Sequence, residues 1–141
     1  MNLQFVAADE TDIPVVIELT KHLIDTYEDI ASVPYEEILE WVEYKIGRCI
    51  SEHQCVLLDG QKCGYYYLLD DGELDLIYIL PAFQNRGIGS EILKKCIAES
   101  KNPLRLYVFT RNVRAISLYE RFGFTIRERV GKTRLIMARN G

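Results

Sequence analysis

Leu3-Gln4-Phe5-Val6-Ala7 follows the two-residue period of a strand. The period then changes. Ile13, Val16, Ile17 and Ile24 recur on one helical face, with Thr11 or Asp12 as its cap and Pro14 in its first turn. Pro34 opens a second helix. Ile38, Leu39, Trp41, Val42 and Ile46 form its expected buried stripe, and Glu36, Glu37, Glu40 and Glu43 lie on another side. Three strand patterns follow at 54–59, 62–69 and 73–80, and Asp59-Gly60 and Asp71-Gly72 between them predict hairpins.

The pattern returns to helix at Ile88, Ile92, Leu93, Cys96 and Ile97, and Asn102-Pro103 ends it. Residues 104–109 read as a fifth strand. A right-handed crossover makes it the parallel neighbour of the strand at 73–80. A loop at 110–113 leads to a short helix from Arg114 to about Phe122, closed by Gly123. Residues 124–130 and 133–138 form a last hairpin around Gly131-Lys132. The order β-α-α-β-β-β-α-β-α-β-β defines an α+β fold. It combines about seven strands, in a mixed and mostly antiparallel sheet, with four helices. Residues 1–141 carry no linker or repeat and read as one domain.

Composition adds limits. The hydrophobic fraction of 48% and charged fraction of 27% are those of a soluble globular protein. No apolar run is long enough for a membrane span, and the first residues lack a signal pattern. The four cysteines have neither zinc spacing nor a C-x-x-C pair, so they read as reduced thiols of a cytoplasmic protein with no metal site. His22 and His53 read as surface or helix-end residues. The net charge of −4 hides a division: residues 1–80 hold 17 acidic and 4 basic side chains, residues 81–141 hold 4 and 13. A nucleic-acid partner has no motif in the basic half and an acidic whole chain against it.

That basic half begins with a distinctive passage. The apolar run Leu76–Leu80 meets Pro81, passes Gln84-Asn85-Arg86-Gly87-Ile88-Gly89-Ser90, and enters a helix. This order aims a helix N-terminus, with free N–H groups, at whatever lies beside the turn. The dinucleotide fingerprint needs a third glycine where Ile92 stands, and a P-loop needs Gly-Lys-Ser/Thr; neither is present. What remains, Gln84-x-x-Gly87-x-Gly89, resembles the acyl-CoA signature of the GNAT superfamily of N-acetyltransferases. A second block, Asn112-x-x-Ala115-x-x-Leu118-Tyr119-x-x-x-Gly123-Phe124, resembles another segment of that family, and the order of elements matches it too.

The resemblance implies a GNAT-like sheet splayed between its fourth and fifth strands, with the thioester of acetyl-CoA in the gap. It implies that backbone N–H groups of Asn85, Arg86, Gly87, Ile88, Gly89 and Ser90, after Gln84, hold the pyrophosphate. Main-chain groups of Ile77, Tyr78 and Ile79 would pair with the pantetheine arm, and Asn112 would fix it. Arg86, Arg111, Arg114 and Arg121 are all open as partners of the adenosine phosphates. Tyr119 matches the tyrosine near the CoA sulfur and would serve as general acid. Some family members carry a basic glutamate twelve residues earlier, where this chain has Tyr107. Glu73 and Asp75, on one face of the fourth strand, are the alternative bases, directly or through water. The backbone N–H near Ile79 would meet the oxyanion.

The acceptor would enter opposite CoA, near Tyr27, Glu28, Asp29, Tyr35, Glu36 and Trp41. Aromatic and acidic groups there favour a cationic amine, with Tyr107 also in reach. The expected activity is direct acetyl transfer by a monomer or homodimer, because no cysteine is placed to carry the acetyl group. The alternative is a non-catalytic acyl-CoA-binding module.

Overall fold

A four-stranded sheet, a three-stranded sheet and four α-helices make up the protein, in a computed structural model that describes residues 1–140. In the first sheet β1 (Leu3–Ala7), β2 (Gln54–Leu58), β3 (Gln61–Leu68) and β4 (Leu74–Ile79) pair antiparallel in that order. The helices α1 (Ile13–Tyr27) and α2 (Tyr35–Cys49) cover one face, where Val16 and Ile46 pack with Cys55, Tyr65, Tyr67 and Leu76. On the other face α3 (Ile88–Glu99) packs Ile88, Ile92, Leu93 and Cys96 in a cluster with Val56, Cys63, Tyr66 and Leu74.

The entry to α1 differs from expectation. Asp12 holds the cap position, but its side chain makes no cap bond. Its carboxylate instead accepts from Lys62 Nζ at 2.7 Å and from the Tyr65 hydroxyl at 2.6 Å, tying the helix to β3. Asp9 takes over as cap of the single 3₁₀ turn Glu10–Asp12, accepting from Thr11 N at 2.9 Å. Trp41 also departs from its predicted place. It is 60% exposed and pairs only with Tyr44, at 5.9 Å between ring centroids. The reason is shallow packing: on α2 Ile46 is buried and Val42 packs against the same cluster, while Ile38 and Leu39 are only half-buried.

Of its two expected places, surface or helix end, His53 takes the second: it caps the 3₁₀ turn Ile50–Glu52 that follows α2. It sits just past α2, buried, with Nδ1 donating to the Cys49 carbonyl at 2.8 Å and its ring stacked on Tyr67. Burial pushes its pKa down, which favours the neutral ring, and the bond to the Cys49 carbonyl assigns the proton to Nδ1.

The second sheet contains β5 (Arg105–Phe109), β6 (Thr125–Val130) and β7 (Arg134–Ala138), all antiparallel, with β7 in the middle. The helix α4 (Val113–Arg121) connects β5 to β6. Leu106, Val108, Leu135 and Met137 share the α3 core, so one cluster joins the two sheets. Their backbones barely meet. A single parallel bridge, Glu73 to Arg105, links β4 to β5, and among the described residues no further ladder joins them. The predicted parallel pair is therefore anchored at one end and open at the other.

A bulge in β4 sets the chemistry of that opening. Tyr67 opposes Leu76 and Leu68 opposes Leu74, so Asp75 is an extra residue. The extra residue changes which face the strand buries: Leu74 joins the α3 core and Leu76 joins the α1–α2 core. Without it the two leucines would point the same way.

Candidate active site

Gly87 begins α3 with φ of 80°, in the left-handed region that favours glycine, and Asn85 before it has φ of 65°. Left-handed residues in a turn aim successive N–H groups toward one point, and the first N–H groups of α3 add to them. Asn85, Arg86 and Gly87 are exposed; Gly89 and Ser90 are half-buried. Ile88 commits its side chain to the core and leaves its backbone at the turn. Gln84 fastens the turn to β4, its Nε2 donating to the Ile79 carbonyl at 3.1 Å. Of the four candidate arginines, two have contacts at this turn: Arg114 of α4 donates to Asn85 Oδ1, and Arg86 lies over the Phe83 ring at 5.3 Å. The arrangement is a cationic, N–H-lined turn whose chemistry suits phosphate oxygens.

Where β4 and β5 part, a cleft of about 380 Å³ opens. Strand alternation assigns its walls. Leu106, Val108 and Leu135 face the core beneath α3, so Tyr107, Phe109 and Arg134 face the opposite side, toward α1 and α2. Glu73 and Asp75 face that same side, as their spacing predicted, and Asp75 pairs with Lys45 of α2 at 2.7 Å. Thr20, Leu23 and Ile24 of α1 also line it. From the α4 side come Asn112, Ala115 and Tyr119, and Ile77 and Tyr78 of β4 line the passage. The cleft thus connects the two sides of the molecule through the gap between strands.

The groups along it differ in protonation. Tyr119 is only 7% exposed, and burial raises its pKa, so the phenol keeps its proton through the neutral range. Burial also pushes the Glu73 carboxyl up, and the charge of Asp75 beside it adds to the shift. Arg105 opposes this from 3.6 Å, a looser contact than the 2.9 Å it makes with Asp71. Glu73 therefore takes up a proton more readily than an exposed carboxylate. Asn112 caps α4, its Oδ1 accepting from Ala115 N at 3.3 Å, which leaves its amide N–H₂ free to donate toward the cleft.

The expected acceptor residues divide. Tyr107 lines the cleft, and Tyr27 borders it by stacking on Phe109, at 6.4 Å between centroids. Glu28, Tyr35 and Trp41 do not line it. Glu28 accepts from Asp29 N at 2.9 Å, and the Tyr35 hydroxyl donates to Asp25 at 2.5 Å. Thr20, Leu23, Ile24, Phe109 and Arg134 were not anticipated. The two-residue period of β5 carried the signal for Phe109, since it shares a face with Tyr107.

The model of the Acetyltransferase (GNAT) family matches residues 17–124. The chain belongs to this family. Both motif blocks, from Gln84 to Gly89 and from Asn112 to Phe124, lie inside the matched span. Solved structures superpose over nearly the whole chain. Apo YjaB from Escherichia coli is 18% identical, with 100% of this chain and 99% of that one covered and a TM-score of 0.76. PaiA N-acetyltransferase from Thermoplasma acidophilum, in complex with coenzyme A, is 20% identical, with 100% of each chain covered and a TM-score of 0.70. YncA from Salmonella typhimurium, with its cofactor acetyl-CoA, is 20% identical, with 98% and 91% covered and a TM-score of 0.61. No curated protein matches the chain in sequence. At these identities the likeness establishes the GNAT fold, and the residues above must carry the chemistry. No helix among the described residues is long and apolar enough to cross a membrane.

Proposed function

We propose that this GNAT protein transfers the acetyl group of acetyl-CoA to a primary amine, by direct attack in a ternary complex. One observation carries the reading. A single cleft is lined by a protonated phenol, Tyr119, from the α4 side and by two carboxylates, Glu73 and Asp75, on the α1–α2 side. The phosphate cradle at 84–90 lies at the end of β4, so a CoA seated there would run its arm along Ile77, Tyr78 and Ile79 into the gap. Asn112 would hold the arm from β5's side, in keeping with its free amide N–H₂.

The step balances without a covalent enzyme intermediate. The amine enters as an ammonium and gives its first proton to Glu73, directly or through water. Its lone pair attacks the thioester carbonyl, and the oxyanion meets a backbone N–H near Ile79. The C–S bond breaks as the amide forms. The thiolate takes a proton donated by Tyr119, which is restored by the proton the nitrogen loses. The products are the N-acetyl amine and CoA thiol. The reduced thiols and the donor both suit the cytoplasm.

A thiol-release assay with acetyl-CoA and a broad panel of amines tests the proposal. Amine-dependent release of CoA, with a matching acetylated product by mass, supports it. Tight CoA binding with no amine-dependent release would instead make the chain an acyl-CoA-binding module.

A further inference from the structure

The charged groups that line the cleft are two carboxylates, Glu73 and Asp75, and one guanidinium, Arg134. Asp75 is paired with Lys45 at 2.7 Å, and Glu73 has Arg105 at 3.6 Å. Arg105 is shared, because it binds Asp71 more closely, at 2.9 Å. Arg134, on β7, has no carboxylate partner among the described residues. Its guanidinium carbon lies 5.7 Å from the centroid of the Tyr107 ring, and both side chains border the cleft. Register explains the contact: Phe109 opposes Arg134 and Tyr107 opposes Ile136, so Tyr107 and Arg134 are diagonal neighbours on one face. Stacking on an aromatic ring holds a guanidinium flat while leaving its N–H edges free, in the fork that matches a carboxylate. A carboxylate at position 107 would have neutralised it; the phenol does not.

We infer that the acceptor carries a carboxylate as well as its amine, and that Arg134, seated on Tyr107, binds that carboxylate while Glu73 and Asp75 receive the ammonium. This rests on the acetyltransferase reading and narrows its acceptor from amines in general to small amino acids. A polycation would leave Arg134 without a carboxylate and set its further charges against that guanidinium. An amino acid places one charge of each sign against the two walls of the gap. The size agrees: about 380 Å³ must also admit the thioester end of the donor, which leaves room for a small acceptor.

The test compares acceptors and variants in the thiol-release assay. The panel holds an amino acid, its carboxamide, the corresponding decarboxylated amine and a linear polyamine. Wild-type protein is expected to use the amino acid with kcat/KM roughly 10–100-fold above the decarboxylated amine, the range of a charged hydrogen-bonded contact. In Arg134→Gln that ratio falls toward one through a raised acceptor KM, and Arg134→Lys restores part of it. Equal or better use of the decarboxylated amine or the polyamine by wild type would overturn the inference. So would an unchanged ratio in Arg134→Gln, or a rise confined to the KM of acetyl-CoA, which would assign Arg134 to the donor. Acetyl transfer without the preference defeats this inference alone. No transfer to any amine defeats the acetyltransferase reading with it.

Discussion

In the proposed reaction two side chains on opposite sides of the gap divide the proton work, and burial shifts both. Tyr119 holds its proton because the core around it disfavours a phenolate. Its replacement by Phe keeps the ring that packs on Phe124 at 5.6 Å and removes only the hydroxyl. Tyr119→Phe is expected to lower kcat by about 10²–10⁴ with little change in the KM of acetyl-CoA. Steady-state kinetics at wild-type turnover would remove the phenol from the reaction. Glu73 makes a prediction in pH. Burial first, and the charge of Asp75 second, raise its pKa, with Arg105 and Lys45 opposing. A protonated Glu73 cannot accept a proton. So kcat/KM climbs as pH rises through that elevated value, ahead of a second rise from the amine's own deprotonation. Glu73→Gln is expected to abolish the lower limb, keep the upper one and cost about 10²–10⁴ in rate. An identical lower limb in the Gln variant would point to Asp75 or water.

At the scale of elements, β4 does more than its hydrophobic pattern announces. Its existence and approximate ends follow from Leu74, Leu76, Ile77 and Ile79, and the glycine turn after it follows from Pro81, Gly87 and Gly89. The bulge at Asp75 was not legible. A one-residue insertion in pairing depends on the partner strand, and no local residue type marks it. The exposure of Trp41 escaped the pattern for a related reason: periodicity says which residues share a face, and only packing decides how deeply that face is covered. Arg134 was missed because an arginine beside a hairpin turn reads as solvated until its strand neighbours are known.

The same strand pair offers a structural test. Gly64 of β3 opposes Ile79, and a Cβ on it would stand 2.5 Å from the Tyr78 carbonyl. Gly64→Ala must push β3 and β4 apart. We expect a loss of about 1–3 kcal/mol in stability, read from the denaturation midpoint. A fall in kcat should accompany it, because β4 carries Glu73 and Asp75. An unshifted midpoint would mean that the sheet absorbs the methyl group elsewhere.

Across the whole molecule, charge and function divide along the same line. Residues 1–80, with 17 acidic and 4 basic side chains, build β1–β4 and the α1–α2 side; residues 81–141, with 4 and 13, build α3, α4 and the second sheet. The phosphate cradle belongs to the basic part, the carboxylates of the cleft to the acidic one. An excess of one sign over a surface raises the local concentration of ligands of the other sign and is screened by salt. Raising ionic strength from about 0.1 M to 1 M shrinks the screening length from about 10 Å to about 3 Å. The donor carries several phosphate charges, so the KM of acetyl-CoA is expected to rise severalfold over that range. A zwitterionic acceptor has no net charge to steer, and its KM should stay nearly flat, whereas a polyamine drawn to the acidic half would show a rise of its own. Measuring both constants in one salt series separates these cases. A flat KM for acetyl-CoA would mean that binding at the glycine turn depends on its short-range N–H contacts, and that the division of charge has no part in recruiting the donor.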